Sequence, residues 1–476
     1  MTMYDVRRIV NYDGRRISPA VLPTSILPSQ TMTPKWARLI CLLAAAAVTQ
    51  PSTRLQAQQI DTASALAALR DASTACHLDA GRLWGISLCA PIALTDRATR
   101  LVIATDSVSG RPFLPYAGTF LTTAPEGLGF ANTSFTWGNR SWAMILLPLP
   151  ADRFDRASLV MHEVFHSVQD TLHLAGSDPA NNQLDVLEGR HLLRLELRAL
   201  GAALDALSNG SSLDVRAHTS DALLFRAQRH ALYSAADSLE PALEMQEGLA
   251  EYTGDRLAMM LTGEPATRIA TRVRAFQSNP TYVRSFAYAT GPALGILLDH
   301  FSPTWRRDIR TARNPALLLA RAIGFHAPSN LPRAVSLRAK SYGDAEIMTQ
   351  ELARDSTRRV LMADYRKRLV DGPTVTFRQT NLSRRFNPQT LVGFDSAWTV
   401  YPTGNFSADW GSLDVKDGGT VVANDFRTVR VAAPGTPITP EMRIVHGSGW
   451  TLTLAPGWSL RRVPGRVGSY EAAKNP

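Results

Sequence analysis

Two histidines and a glutamate at residues 162–166 could together bind a metal ion and activate water. The segment reads His162-Glu163-Val164-Phe165-His166. On a helix, residues i and i+4 share a face, so both imidazoles can reach one metal ion, with Glu163 beside them as a candidate base. With ten His and thirteen Glu in 476 residues, chance gives only about 0.006 such patterns. The spacing therefore predicts metal-dependent hydrolytic chemistry.

A catalytic zinc ion usually takes three protein ligands, so the two histidines need a further partner. Glu244, Glu247 and Glu251 recur at helical spacing further along the chain, which predicts three carboxylates on one helix face. Carboxylates on a partly apolar helix repel one another unless a cation lies among them. Glu196, Glu188 and Glu244 remain open as alternatives to Glu247 for the third ligand.

The two motifs together resemble the gluzincin metallopeptidases, in which the third ligand is a Glu followed by a small residue on a second helix. The resemblance implies zinc bound by His162, His166 and Glu247, with Glu163 as general base and Glu251 as the carboxylate that orients a ligating imidazole. It covers two motifs and the order of the elements. The chain has no Gly-x-Met-Glu-Asn segment of the kind found in the family's aminopeptidases, so the resemblance does not extend to exopeptidase action.

Other features are expected to serve this site. Because 80 residues separate His166 from Glu247, more than in the best-known gluzincins, we expect a helical insertion over 183–208 and 213–238. Tyr288 is the candidate donor to the oxyanion, in the region where a gluzincin carries such a tyrosine, with Tyr252 and Arg198 as weaker candidates. The strand at 142–147 precedes the zinc helix and is expected to be a sheet edge along which a peptide lies, or else an ordinary core strand.

The elements that must position these residues change in character along the chain. Residues 82–149 favour extended structure, 152–368 show helical periodicity, and short segments rich in β-branched and aromatic residues follow 371. We predict an α+β protein, with a zincin-like catalytic region of small mixed sheet and large helical part, followed by a C-terminal β-rich domain. The predicted divisions are 1–59, 60–150, 151–370 and 371–476.

The N-terminal segment is typical of an export signal. Lys35 and Arg38 precede an apolar run of about ten residues at 39–48, too short to span a bilayer, with small residues beyond it. Removal of this segment leaves no stable membrane span and deletes Cys41. Cys76 and Cys89 remain, thirteen residues apart, and are expected to form a disulfide in an oxidising compartment, the alternative being two buried thiols. We predict a periplasmic or extracellular protein.

The net charge of +10 does not indicate a nucleic-acid partner. Only five of the 51 cations are Lys, and residues 1–60 carry seven cations against two anions, which leaves 44 against 39 in the rest of the chain. No basic run with interleaved aromatic residues is present. We expect zinc as the cofactor and a peptide or protein as the substrate; the oligomeric state is not indicated. The alternatives are a zinc-stabilised, non-catalytic envelope-binding protein and a hydrolase of non-peptide amides or esters.

Overall fold

A computed structural model describes residues 61–475 of the chain. The range begins with one helix and a mixed sheet, a long helical region follows, and a β-rich region ends it, so the predicted α+β class is confirmed. The predicted export signal lies outside the described residues.

The first sheet is built from six short strands: β1 (Ile92–Thr95), β2 (Leu101–Ala104), β3 (Leu114–Tyr116), β4 (Thr119–Thr123), β5 (Thr133–Trp137) and β6 (Arg140–Leu146). Their order is β3-β4-β2-β1-β6-β5. β1 and β6 are parallel, and the other neighbours are antiparallel. Along β6, Ala143 and Ile145 face the helical core while Trp142 and Met144 pack in a smaller cluster on the opposite face. The strand is therefore covered on both sides.

The prediction that the strand at 142–147 forms a sheet edge is wrong. β6 pairs with β1 on one side and with β5 on the other, and β5 is the outermost strand. The physical reason is the apolar run of β6, which is typical of a strand buried on both faces. Gly138 and Asn139, both with positive φ, form the two-residue turn that adds β5 outside it.

Twelve α-helices are described: α1 (Thr62–Asp79), α2 (Arg153–Val168), α3 (Leu187–Ser208), α4 (Ser212–Leu232), α5 (Ala236–Leu243), α6 (Leu249–Thr262), α7 (Ala266–Phe276), α8 (Ala287–Phe301), α9 (Trp305–Ala312), α10 (Pro315–Ile323), α11 (Leu331–Ala339) and α12 (Asp344–Arg366). π-helical turns lie at Glu244–Gly248 and Lys367–Asp371. 3-10 turns lie at Asn182–Asp185, Lys340–Tyr342 and Pro388–Thr390. The predicted helical insertion is confirmed by α3 and α4, although α4 ends at Leu232 rather than near 238.

A close approach of α2 and α6 brings the two sequence motifs together. A Cβ atom on Gly254 of α6 would overlap the carbonyl oxygen of Ser158 on α2. The absence of a side chain at this position therefore allows the two helices to pack almost backbone to backbone. One consequence is that the histidines of α2 lie within reach of carboxylates from the segment that leads into α6.

The C-terminal region is a two-sheet sandwich. Its strands are β7 (Thr374–Arg378), β8 (Ser383–Arg385), β9 (Val392–Gly393), β10 (Trp398–Tyr401), β11 (Gly404–Ala408), β12 (Gly411–Val415), β13 (Thr420–Ala423), β14 (Thr428–Ala432), β15 (Ile444–Gly447), β16 (Trp450–Leu454), β17 (Trp458–Arg462) and β18 (Tyr470–Lys474). One sheet has the order β17-β18-β7-β14-β13-β10-β9, and the other β15-β16-β12-β11-β8. Phe377 and Val429 of the first share a buried core with Leu413 and Leu452 of the second.

The two cysteines of the described range are bonded to each other. The disulfide joins Cys76, near the end of α1, to Cys89, with Cα atoms 5.3 Å apart. It ties α1 to the segment that leads into β1. Among residues 61–475, no helix combines the length and the apolar character needed to cross a bilayer.

Candidate metal centre

The α2 helix presents two imidazoles on its inner face. Asp152 caps the helix, because its Oδ1 accepts a hydrogen bond of 2.9 Å from the backbone N–H of Asp155. Apolar residues of α2, among them Val160, are buried in the main core and fix the orientation of the helix. His162 is buried and His166 is half-buried, and their Nε2 atoms lie 3.0 Å apart.

Glu247 completes a triangle of possible metal ligands. Its Oε2 atom lies 3.5 Å from Nε2 of His162 and 3.5 Å from Nε2 of His166. Tetrahedral zinc with bonds of about 2.0–2.1 Å separates neighbouring ligand atoms by about 3.3 Å, so the three atoms fit one ion. Within the described range, this is one of two such clusters of His, Cys, Asp and Glu; the other contains Cys76 and Cys89, whose sulfurs are consumed in the disulfide.

The prediction of three carboxylates on one helix face is wrong for Glu244. The chain forms a π-helical turn at Glu244–Gly248, which changes the angle between successive side chains. Glu244 points away from the histidines and accepts hydrogen bonds from Arg226 Nη1 at 2.9 Å and Thr290 at 2.7 Å. Its compensating cation is therefore an arginine and not a metal ion, whereas Glu247 and Glu251 reach the histidines.

The structure does not bring the remaining alternatives for the third ligand, Glu196 and Glu188, to the histidine pair. Glu196 is buried and accepts hydrogen bonds from Arg226 at 2.8 Å and Arg229 at 2.7 Å. Glu188 is exposed at the start of α3. The two-helix insertion thus supplies a buried ion network behind the ligand segment. Glu247 is the carboxylate that the structure brings to the histidine pair.

His162 is held in orientation by a carboxylate network. Its Nδ1 atom lies 2.8 Å from Oε2 of Glu251, as the resemblance implied. Arg272 of α7 donates to Oε1 of Glu251 at 2.7 Å and also pairs with Asp255. Asp255 in turn accepts a hydrogen bond of 2.6 Å from Ser158 on α2. With Nδ1 bonded to Glu251, the Nε2 atom of His162 faces the ligand triangle.

Gln169 holds the imidazole of His166 in orientation, as Glu251 does for His162. Its Oε1 atom lies 2.8 Å from Nδ1 of His166, while its Nε2 donates to the backbone oxygens of Met245 at 2.9 Å and Leu174 at 3.1 Å. The amide nitrogen is thereby fixed as a donor, so its oxygen accepts from the imidazole. Neither Gln169 nor Arg272 is predicted from the sequence as a partner of the histidines. The spacing of three residues from His166 could have indicated Gln169, whereas no local pattern indicates Arg272.

Tyr288 lies beside the candidate metal ligands, whereas the two weaker candidates for the oxyanion donor, Tyr252 and Arg198, bond to residues elsewhere. Its hydroxyl donates to Oε2 of Glu247 at 2.5 Å, and its ring stacks on His162 with centroids 5.8 Å apart. Burial and the neighbouring Glu247 raise the pKa of Tyr288 well above its usual value, so the hydroxyl stays a donor. Tyr252 donates instead to Asp299, and Arg198 bonds Gln277, the Tyr342 carbonyl and Glu346.

A cleft of about 420 Å³ opens over the ligand triangle. Glu163 lines it together with both histidines, Glu247 and Tyr288, and its side chain is largely buried. Residues 133–136 of β5, the outermost strand of the first sheet, also line this cleft. The end strand of the sheet therefore borders the space that holds the candidate base and ligands.

The buried carboxylates of the site favour positive charge beside them. Burial lowers the pKa of His162, but Glu247 and Glu251 outweigh it and raise the value to about 9. The pKa of His166 is also raised, because the charge of Glu247 outweighs burial. Burial acts to raise the pKa of Glu247, yet the two imidazoles bring it well below the usual range. The same carboxylates that hold protons on the imidazoles can stabilise a divalent metal ion in their place.

Comparison of the chain with models of known protein families, with curated proteins and with solved structures found no match.

Proposed function

We propose that the protein is a zinc-dependent metallopeptidase of gluzincin type, with His162, His166 and Glu247 as zinc ligands. The observation that carries the proposal is the triangle of their ligand atoms, with sides of 3.0, 3.5 and 3.5 Å, beside Glu163 in one cleft. Structural zinc sites usually have four protein ligands, whereas three ligands leave a position for reaction. This difference favours an enzyme over a zinc-stabilised, non-catalytic binding protein.

The chain's own residues supply the proton transfers of the proposed reaction. When bound, zinc lowers the pKa of a water molecule toward about 7 and polarises a carbonyl group. Glu163 takes a proton from the attacking water and delivers it to the leaving amine nitrogen as the peptide C–N bond breaks. The hydroxyl of Tyr288, which donates to Glu247 in this structure, would turn to donate its proton to the carbonyl oxygen as negative charge develops there.

The outer strand β5 favours a peptide over a small amide or ester as the substrate. No strand within residues 61–475 pairs with its outer edge, which can accept an extended chain through backbone hydrogen bonds that a small ester does not require. We also propose that the protein is exported, as its N-terminal sequence predicts. The disulfide between Cys76 and Cys89 supports an oxidising compartment.

Paired metal and cleavage assays on the wild type and Glu163→Gln test the proposal. We expect Glu163→Gln to retain zinc but to lose about 10²–10⁴-fold in cleavage of a quenched fluorescent peptide library, because the base is gone and the ligands are intact. Glu188→Gln, on the exposed start of α3, is the matched control and should retain both properties. Equal cleavage by Glu163→Gln and wild type would refute the mechanism. Ester cleavage without peptide cleavage would refute the substrate class.

A further inference from the structure

A second cleft, of about 430 Å³, lies in the C-terminal sandwich and shares no lining residue with the metal centre. It is formed by the end of β7 and the residues after it (378–381), the turn between β11 and β12 (408–410), residues 427–428 and Trp458 at the start of β17. No part of the proposed peptidase mechanism uses it.

Two residues that line this cleft, Trp410 and Gln379, are held by contacts within the sandwich. Trp410 is fully buried and packs on Phe377, with ring centroids 4.5 Å apart. Its indole N–H donates to Oε1 of Gln379 at 3.2 Å, and Nε2 of Gln379 donates to the carbonyl of Phe426 at 2.8 Å. The indole and the amide are therefore held in place by the protein's own contacts, which reduces the entropic cost of binding a ligand beside them.

The rim carries polar groups that no described residue satisfies. The exposed side chains of Asn381, Asp409 and Arg427 make no hydrogen bond or ion pair with another residue of the range 61–475. Asp409 and Arg427 carry opposite charges on the same cleft yet do not pair with each other. Trp458 is half-buried and lines the same space. The cleft is thus lined both by polar side chains without a partner in the described range and by the partly accessible ring of Trp458.

We propose that this cleft binds a short neutral oligosaccharide. A pyranose ring has an apolar C–H face that packs on an aromatic ring, and neighbouring hydroxyls that donate and accept in pairs. The carboxylate of Asp409, the amide of Asn381 and the guanidinium of Arg427 match such pairs. The other arginine, Arg378, is paired with Glu471 at 3.0 Å, so the charges of Asp409 and Arg427 cancel and no anionic ligand is favoured.

Titration calorimetry on the full chain tests the proposal with a panel of neutral tetrasaccharides of glucose, mannose, galactose, xylose and N-acetylglucosamine. Tetragalacturonate and tetra-alanine serve as the anionic and peptide arms. We expect at least one neutral saccharide to bind, and Trp458→Ala to weaken it about tenfold or more through loss of ring stacking. Asp409→Ala and Asn381→Ala, both at exposed positions, should weaken it without a change in melting temperature.

Trp398→Ala is the matched control, because Trp398 stacks on Arg430 elsewhere in the same sandwich and does not line the cleft. It should leave saccharide affinity unchanged, as should Glu163→Gln. Failure of every neutral saccharide to bind would overturn the proposal. So would tighter binding of tetragalacturonate or tetra-alanine, or equal affinity in the wild type, Asp409→Ala and Asn381→Ala.

Discussion

Each imidazole of the metal centre is held through its Nδ1 atom by a partner that is itself fixed. Glu251 is anchored by Arg272, and Gln169 by two backbone carbonyls. Such outer partners set the direction and basicity of a metal-binding imidazole, so they contribute to affinity without touching the metal.

The first prediction concerns Glu251→Ala. It should weaken zinc binding about 10–100-fold, because His162 loses the acceptor of its Nδ1 hydrogen bond. Competition with a chromophoric chelator measures the affinity, and Glu188→Ala provides the control. An unchanged affinity in Glu251→Ala would show that the carboxylate does not orient the ligand.

The pH dependence of zinc binding follows from the same charges. Below about pH 9 the metal-free centre holds a proton on His162, because its pKa is raised from 6.5 to about 9. Zinc must displace this proton, so its affinity should rise with pH by about one logarithmic unit per pH unit for each proton displaced, and level off above pH 9. Chelator competition between pH 6 and 8 measures the slope. A flat profile would contradict a raised pKa at the ligand.

At the scale of elements, the π-helical turn at Glu244–Gly248 is what separates Glu247 from Glu244. Its contact with α8 is close: a Cβ atom on Gly291 would overlap the Cα atom of Gly248. This contact brings Tyr288, one turn before Gly291, to within hydrogen-bonding distance of Glu247. The geometry of the ligand and of the proposed donor is therefore set by a contact between two glycines.

Gly291→Ala should consequently damage both stability and the metal centre. The added methyl group forces α8 away from the turn, which we expect to cost about 1–3 kcal/mol of unfolding free energy and to lower zinc affinity. Urea denaturation and chelator competition measure the two effects. Gly201→Ala on α3 is the matched control, because its nearest neighbour would lie at an ordinary 3.4 Å and alanine favours a helix. Equal behaviour of the two variants would contradict the close contact.

Sequence periodicity predicted elements better than it predicted their relations. The α2 helix, the two insertion helices and several C-terminal strands follow from local patterns of apolar residues. The π-helical turn does not: its first residue, Glu244, is paired with Arg226, which is 18 positions away in the chain, and no local apolar pattern indicates this pairing. The outer position of β5 was missed for a similar reason, since order within a sheet is a tertiary property.

At the scale of the whole molecule, the C-terminal sandwich supports one wall of the cleft at the candidate metal centre. Asp178 lines the cleft and pairs with the buried Arg284, whose guanidinium stacks on Phe426 at 4.9 Å from the ring centroid. Burial raises the pKa of Asp178 to about 7. The charge of Arg284 acts to lower this pKa, whereas the charge of Glu247 acts to raise it, so Asp178 lies close enough to the candidate ligand Glu247 to interact with it electrostatically. The sandwich and the cleft are thus physically connected.

Phe426→Ala should therefore reduce peptide cleavage without removing zinc. Without the ring of Phe426, Arg284 holds Asp178 in the wall of the cleft less firmly. We expect kcat/KM to fall several-fold, mainly because KM rises. Steady-state kinetics and metal content measure both properties, and Trp398→Ala in the same sandwich is the control. If Phe426→Ala cleaves as the wild type does, the sandwich does not support the cleft.

Such connections lie beyond local sequence patterns. His162 and His166 share one motif, Glu247 and Glu251 were found by their helical spacing, and the resemblance to gluzincins gave them and Tyr288 their expected roles. Arg284, by contrast, contacts residues that are more than a hundred positions away in either direction of the chain. Only the folded chain shows that it joins the cleft to the sandwich.

The most direct test of the metal centre is the zinc content of the purified full chain, measured by mass spectrometry of the metal after dialysis against a weak chelator. We expect one zinc per chain in the wild type, in Glu163→Gln and in the exposed control Glu188→Ala, and almost none in Glu247→Ala or His166→Ala. Circular dichroism would establish that these variants are folded. One zinc per chain retained in a folded Glu247→Ala or His166→Ala variant, or no zinc in the wild type, would contradict the assignment.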